Sequence, residues 1–455
     1  MGRTNPRVLK SEFSEYHGAL RGGRTTCEEA VREELRNVKR YNGDLNAFIL
    51  VFGGEHGLAL SRARALDAEG RRSIAPLFGI PLAIKDNFAL GGFPTTGATY
   101  YFRNYIPGAN AELVDSALGI GAVPLGKTNM HEIALGATSA ASYFGPVRNP
   151  YDRNRVSGGS SGGSAVAVAK SKVPILGLGS DTGGSERVPA ALCGIMGFKP
   201  TLGALSLEGV FPLSATLDHA GLLTRTMPDM ARAWEGLRRP GRTRRAKMRR
   251  RKMRIGVPTA PYMDDVDKNV LRNFWRAMEK MRKSGKFEVV DVKAGSRFER
   301  FTTARGEIQL REAAWFFETL VKTRAISSRM NRDVITLLQR GMRIGAVRYM
   351  NANLARLESI RAFGSLLDGL DALAMPTTRT SAPLLSEVTG KEAGSIRKKL
   401  LQNTEAFNLC GFPALSVPSN PGAQELPTAI QFAGRLGEDD LVLKVGELSM
   451  RCIAG

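Results

Sequence analysis

Cysteine and histidine are scarce in this chain, with four of each among 455 residues. Cys27, Cys193, Cys410 and Cys452 lie far apart and form no C-x-x-C pair. That spacing indicates neither a disulfide framework nor a zinc site, and no metal is expected. No run of 18 or more apolar residues occurs, so no membrane-spanning helix is expected. The first twenty residues lack the apolar stretch of a secretory signal, and Glu12 and Glu15 argue against a transit peptide. A cytoplasmic protein is expected. The hydrophobic fraction of 43% excludes a mostly disordered chain, and the 50 glycines follow no G-X-Y period, which excludes collagen.

Acidic residues are also in short supply. Asp and Glu number 43 against 65 Lys and Arg, a net charge of +22. The segment 238–254 (RRPGRTRRAKMRRRKMR) holds 11 basic residues in 17 and no acid, so half of the excess sits there. Such a run repels itself and stays solvated, or it contacts a polyanion such as RNA, an anionic membrane or an acidic partner. No aromatic side chain is interleaved in it, which argues against stacking on single strands.

At roughly 150 residues per domain the length allows about three domains, or one large α/β domain with additions. Residues 1–70 read as mainly helical. Thr26 and Glu29 fit a capping box ahead of Val31, Leu35 and Val38 at helical spacing. The stretch 45–52 (LNAFILVF) reads as a buried strand, and 57–69 as a helix. From Pro76 to Thr226 short apolar runs alternate with Gly-rich turns and helical stretches such as 111–120. Runs of that length suit buried strands, and the alternation favours an α/β architecture. Strand signals resume after the basic segment at RIGVP, 373–375 and 414–417, and the stretches 267–284 and 333–367 look helical. The expectation is one domain over 1–455, with 238–254 a loop or insertion within it.

Two Ser/Gly clusters, at 157–164 and 179–185, flank the strand-like VPILGLG. Glycine-rich turns expose backbone N–H groups and admit a substrate closely. A serine at the end of such a turn can attack a carbonyl while those N–H groups stabilise the oxyanion. A histidine base is poorly supplied: the G-x-S-x-G pattern at Gly158–Gly162 is followed only by His219, with more than half the chain still to come. An α/β-hydrolase needs its histidine late, after the acid. Lys85, at the end of the apolar run GIPLAIK, is the best alternative, since burial can make a lysine neutral enough to act as a base. The pattern at Gly121–Thr128 also matches G-x-x-x-x-G-K-[ST], but its apolar residues lie inside the motif, which argues against a phosphate loop.

Over nearly its whole length the chain resembles the amidase signature family. The matching segments are PLFGIPLAIKDN (76–87), GKTNMHEIALG (126–136), 148–169, 179–201, FPLSATLDHAGLLTRT (211–226), NLCGFPALSVP (408–418) and 426–443. The resemblance implies an α/β fold with a large mixed central sheet flanked by helices on both faces. It implies a Ser–cis-Ser–Lys triad: Ser185 as nucleophile, Ser160, preceded by a cis peptide, as the bridge, and Lys85 as general base. It implies an oxyanion hole of backbone N–H groups along Thr182, Gly183, Gly184 and Ser185, each donor worth about 2.7–4 kcal/mol. Ala134, Leu135 and Gly136 would line the acyl pocket, and Asp181 with Arg187 would brace the turn. No cofactor is expected.

Glu186 departs from the pattern, which has Ile or Val there. A carboxylate pointing inward would favour protonated Lys85, so Glu186 is expected to point away, toward Arg187 or solvent. An extra residue near Lys170-Ser171-Lys172 falls at an expected helix end. The main functional expectation is an amidohydrolase that cleaves a small amide through an acyl-enzyme. The alternatives are the A subunit of a tRNA-dependent amidotransferase, working with partner subunits, and a catalytically weakened nucleic-acid-binding protein. A homo-oligomer and a polyanion contact through 238–254 are left open.

Overall fold

Eleven strands form one sheet in the computed structural model, which describes residues 9–70, 75–244, 252–295, 297–391, 394–421 and 425–454. In chain order they are β1 (Phe48–Val51), β2 (Pro81–Lys85), β3 (Val123–Thr128), β4 (Leu176–Asp181), β5 (Met196–Lys199), β6 (His219–Thr224), β7 (Met253–Pro258), β8 (Phe287–Val292), β9 (Ala372–Pro376), β10 (Ala414–Pro418) and β11 (Ala429–Ala433). Their order across the sheet is β1-β3-β2-β4-β6-β5-β10-β11-β9-β7-β8. The sheet is mixed: β2 runs parallel to β3 and β4, whereas β6 runs antiparallel to β4 and β5.

Helices cover both faces, so every residue of β2 and β4 is buried. Side chains alternate across a strand, and β2 shows how that places the chemistry. Leu82 and Ile84 join the core that holds Trp234 of helix Met227–Leu237 and Met278 of helix Lys268–Lys283. Ala83 joins the opposite core, with Ala165 and Val168 of helix Gly162–Lys170. Lys85, two residues on, falls on this second side, at the carboxyl end of a parallel strand, where open α/β sheets bind ligands. Gly163 lets the 162–170 helix approach, because a Cβ there would lie 2.3 Å from the carbonyl oxygens of Ala47 and Asn129.

Thr26 and Glu29 close the capping box ahead of helix Cys27–Leu45, and that helix runs directly into β1. The stretch 333–367 is two helices, Arg332–Met342 and Ala346–Leu366, because Gly345 is extended and caps the second. Gly121–Thr128 is not a phosphate loop. Its second half is β3, and Lys127 is turned inside to Asp86, 3.1 Å away. Helix Gly162–Lys170 ends at Lys170 with Ser171 as its cap, where the extra residue was expected. Of the basic run, 245–251 lies outside the described residues. Its flanks are tied down by Arg239 on Glu112 and by Arg254 on Glu288. Among the described residues no helix is long and apolar enough to cross a membrane.

Candidate active site

Lys85 is completely buried, and its Nζ lies 2.8 Å from the Oγ atoms of Ser160, Ser161 and Ser180. Burial lowers the amine to about 8, although the carboxyl groups of Glu186, Asp181 and Asp218 pull the other way. An amine so placed loses its proton far more readily than a solvated lysine. Ser160 follows a cis peptide bond from Gly159. Its carbonyl accepts from the His131 N–H at 3.1 Å and from Ser139 Oγ at 3.3 Å, so the 131–139 segment holds it in place. Among the described residues, Ser160 Oγ has Lys85 as its one hydrogen-bond partner.

Ser185 stands on the turn between β4 and helix Arg187–Cys193, and it is 5% exposed. Its carbonyl accepts from the Ser161 N–H at 3.1 Å, which joins the two Ser/Gly clusters backbone to backbone. Its hydroxyl has no hydrogen bond among the described residues. Asp181 organises the turn. Its two oxygens accept from the N–H groups of Gly184, at 2.7 Å, and Glu186, at 3.1 Å. Arg187 grips the same carboxylate with Nη2 at 2.8 Å and Nε at 3.0 Å. Burial alone would raise the Asp181 carboxyl, but the adjacent guanidinium holds it well below the usual range.

This arrangement narrows the expected oxyanion site. The Gly184 N–H is engaged by Asp181, so of the four amides only those of Thr182, Gly183 and Ser185 lack a partner among the described residues. Gly184 itself has φ +130°, and a Cβ on it would lie 2.1 Å from Thr404 Oγ1. Gly184→Ala is therefore expected to displace the turn, at a cost of about 1–3 kcal/mol in strain. A urea titration matching that of the parent would refute this. Glu186 contradicts its expected direction. It is fully buried and lies against Gly179 and Ser161, on the Lys85 side. Solvent is closed to it, and the Arg187 guanidinium is already taken by Asp181.

Ala134, Leu135 and Gly136 follow His131, which bonds to the backbone of Ser160. His131, five residues before Gly136, begins their turn, and a Cβ at Gly136 would strike the His131 ring at 2.1 Å. Ala134 and Leu135 belong to an apolar cluster with Ala313, Phe317 and Leu337. Several residues here escape sequence reasoning. Thr404 Oγ1 donates to the Gly183 carbonyl at 2.6 Å, and Asn408 Nδ2 to the Asp181 carbonyl at 2.7 Å. Arg305, paired with Glu405, lies over Gly183. Asn408 sits in a segment already matched to the family, whereas Arg305 carries no local signal.

An amine base, a serine relay and unpaired amides beside a second serine form a set suited to acyl transfer. Comparison with known proteins agrees. The family model described as Amidase matches residues 29–443. The glutamyl-tRNA(Gln) amidotransferase A subunit of Chlorobium chlorochromatii (strain CaD3) is 32% identical over 97% of this chain and 99% of its own length. A crystal structure of an amidase superposes with a TM-score of 0.86 at 34% identity, covering 96% of this chain and 99% of its own. The glutamyl-tRNA(Gln) amidotransferase A subunit of Thermotoga maritima gives a TM-score of 0.79 at 29% identity, over 97% of this chain and 95% of its own. With its large mixed sheet and its matched segments in order, this chain belongs to the amidase signature family of enzymes.

Proposed function

We propose that the chain hydrolyses a small carboxylic amide to acid and ammonia or amine, working as a free-standing amidase. The observation that carries this reading is Lys85 Nζ, buried and 2.8 Å from Ser160 Oγ, within one backbone hydrogen bond of the Ser185 turn. Ser185 Oγ attacks the carbonyl carbon. Its proton passes to Ser160, and the Ser160 proton to neutral Lys85. The oxyanion is met by the amides of Thr182, Gly183 and Ser185. The relay then returns a proton to the leaving nitrogen, and water cleaves the acyl-enzyme by the same path. The Ser185 hydroxyl turns onto the relay when substrate fills the site. Ala134, Leu135 and Gly136 border the acyl group.

A second reading is the A subunit of a tRNA-dependent amidotransferase, supported by 32% identity to one from Chlorobium chlorochromatii over nearly both full lengths. There the chain releases ammonia from glutamine beside partner subunits and tRNA, and the basic run 238–254 serves RNA proximity. The test is turnover by the purified chain on a panel of simple amides and glutamine. Robust hydrolysis without partners supports the free amidase. Activity confined to glutamine in the presence of partner subunits and tRNA overturns it.

Replacing the basic residues of 242–252 by Ser and Gly is expected to leave amide hydrolysis within about twofold of the parent, because none of them belongs to the triad or to the Asp181–Arg187 turn, and exposed charges are screened by salt. A loss seen only with tRNA and partners assigns the run to the second reading.

A further inference from the structure

One buried acid beside the triad has no part in the mechanism above. Glu186 follows Ser185 directly and is fully buried, and among the described residues neither carboxyl oxygen makes a well-formed hydrogen bond, Ser161 being the polar side chain that bears on it. A buried carboxyl left unpaired is costly, so its persistence calls for an explanation.

The sheet is shaped to receive it. Gly179 on β4 faces Gly221 on β6 in register. A Cβ at Gly179 would lie 2.0 Å from Glu186 Oε2, and one at Gly221 would lie 2.9 Å from Glu186 Cγ. Two facing glycines thus open a slot filled by this one side chain. The slot leads to the base. The space beside Gly179 that holds Oε2 also holds Ser161 Oγ, and Ser161 Oγ is 2.8 Å from Lys85 Nζ.

We propose that Glu186 is a positioning residue that shares a proton with Lys85 across Ser161, so that the charge of the pair governs how readily Ser185 is activated. The inference rests on Lys85 being the base for Ser185. One proton moves between carboxyl and amine, and no bond to carbon changes. Ammonium with carboxylate is one arrangement. Amine with carboxylic acid is the other, and only it leaves a lone pair on Nζ for the relay. Two groups coupled in this way titrate as a pair. Burial pushes the Glu186 carboxyl well above its ordinary range, against the pull of Lys85, while burial lowers Lys85.

The other charged groups around the slot are accounted for. Asp181, at the end of β4, is locked to Arg187 of the following helix. Asp218, before β6, accepts from Thr182 Oγ1 and from the Leu213 and Ser214 N–H groups. His219 on β6 has Nδ1 2.7 Å from the Leu217 carbonyl, and burial lowers the ring well below its usual value. Lys199 on β5 donates to the Phe412 and Pro200 carbonyls, and burial draws it to about 7. Burial raises the Asp218 carboxyl to about 6, so Lys199 and Asp218 are the other groups around the slot expected to titrate near neutrality, and both serve as controls.

The test is the pH dependence of kcat/KM on a simple amide for the full chain and for Glu186→Gln. The rate of irreversible phosphonylation by a fluorophosphonate is followed in parallel. That reaction joins phosphorus to Ser185 Oγ and expels fluoride, so it needs no amide turnover. A carboxylate favours the ammonium form, so removing it should lower the pH of half-maximal rate by about one unit, or tenfold on the acid limb. Glu186→Val fills the slot without charge and should shift the profile in the same direction. It stands in if the glutamine variant fails to fold. Superimposed profiles, or a uniform loss with no shift, overturn the inference and leave Glu186 a packing residue. A shift reproduced by Lys199→Met or by Asp218→Asn also overturns it. If phosphonylation shifts while amides are not cleaved, the substrate reading fails and the role of Glu186 stands.

Discussion

Ser185→Ala is expected to lower kcat for amide hydrolysis by about a million-fold while leaving the chain folded. The substitution removes only a small buried hydroxyl that bonds to none of the described residues, so little stability is at stake. What is lost is the covalent route. Members of a catalytic unit fail together rather than additively, so Lys85→Ala should fall nearly as far, and the double variant scarcely further. Ser160→Ala should retain a small residue of activity, because water can stand in for the bridge but not for the nucleophile. Steady-state kinetics on one amide, with burst analysis for the acyl-enzyme, checks all three. Full turnover by Lys85→Ala would remove the lysine-base mechanism.

The largest expected effect on stability lies with Arg187. Arg187 and Asp181 are both wholly buried, and the guanidinium also reaches the Thr404 carbonyl, Asn408 Oδ1 and Gln431 Oε1. Arg187→Met would leave the Asp181 carboxylate buried without its counter-charge. Breaking such a pair from one side costs about 3–5 kcal/mol. The same carboxylate accepts the Gly184 and Glu186 N–H groups, so the turn bearing Ser185 should loosen and activity should fall with stability. Asp181→Leu combined with Arg187→Met should regain part of the stability, since no charge is then stranded, but not the activity. Urea denaturation of the parent and both variants measures this. A single variant as stable as the parent would show that the brace contributes little.

Much of this site is legible before any fold is known. Lys85 ends a short apolar run and two glycine-rich turns carry serines, and these follow from the residues; that Ser160 and Ser185 are the serines that act is what the family resemblance implies. Asp181 and Arg187 lie six residues apart around one turn, and the structure pairs them. The strands at FGIPLAIK and VPILGLGSD follow from their apolar length. Others do not. β6, β8 and β11 are not anticipated, since their signal is pairing with neighbours distant in the chain. Helix Arg297–Phe316, which carries Arg305 to Gly183, likewise shows only in its tertiary contacts.

Glu186 divides the two kinds of knowledge most clearly. That a carboxyl stands beside the nucleophile is a property of the order of residues alone, as are the lysine at the strand end and the two serine turns. Which way that carboxyl faces is decided by Gly179 and Gly221, on strands that meet only in the sheet. The engagement of the Gly184 amide by Asp181, and the gathering of three serine hydroxyls around one amine, are likewise products of assembly. Local chemistry is written in spacing, because turns and strand ends form over a few residues. Burial and charge state depend on distant segments closing over a group and excluding water, and only the folded chain brings those segments together.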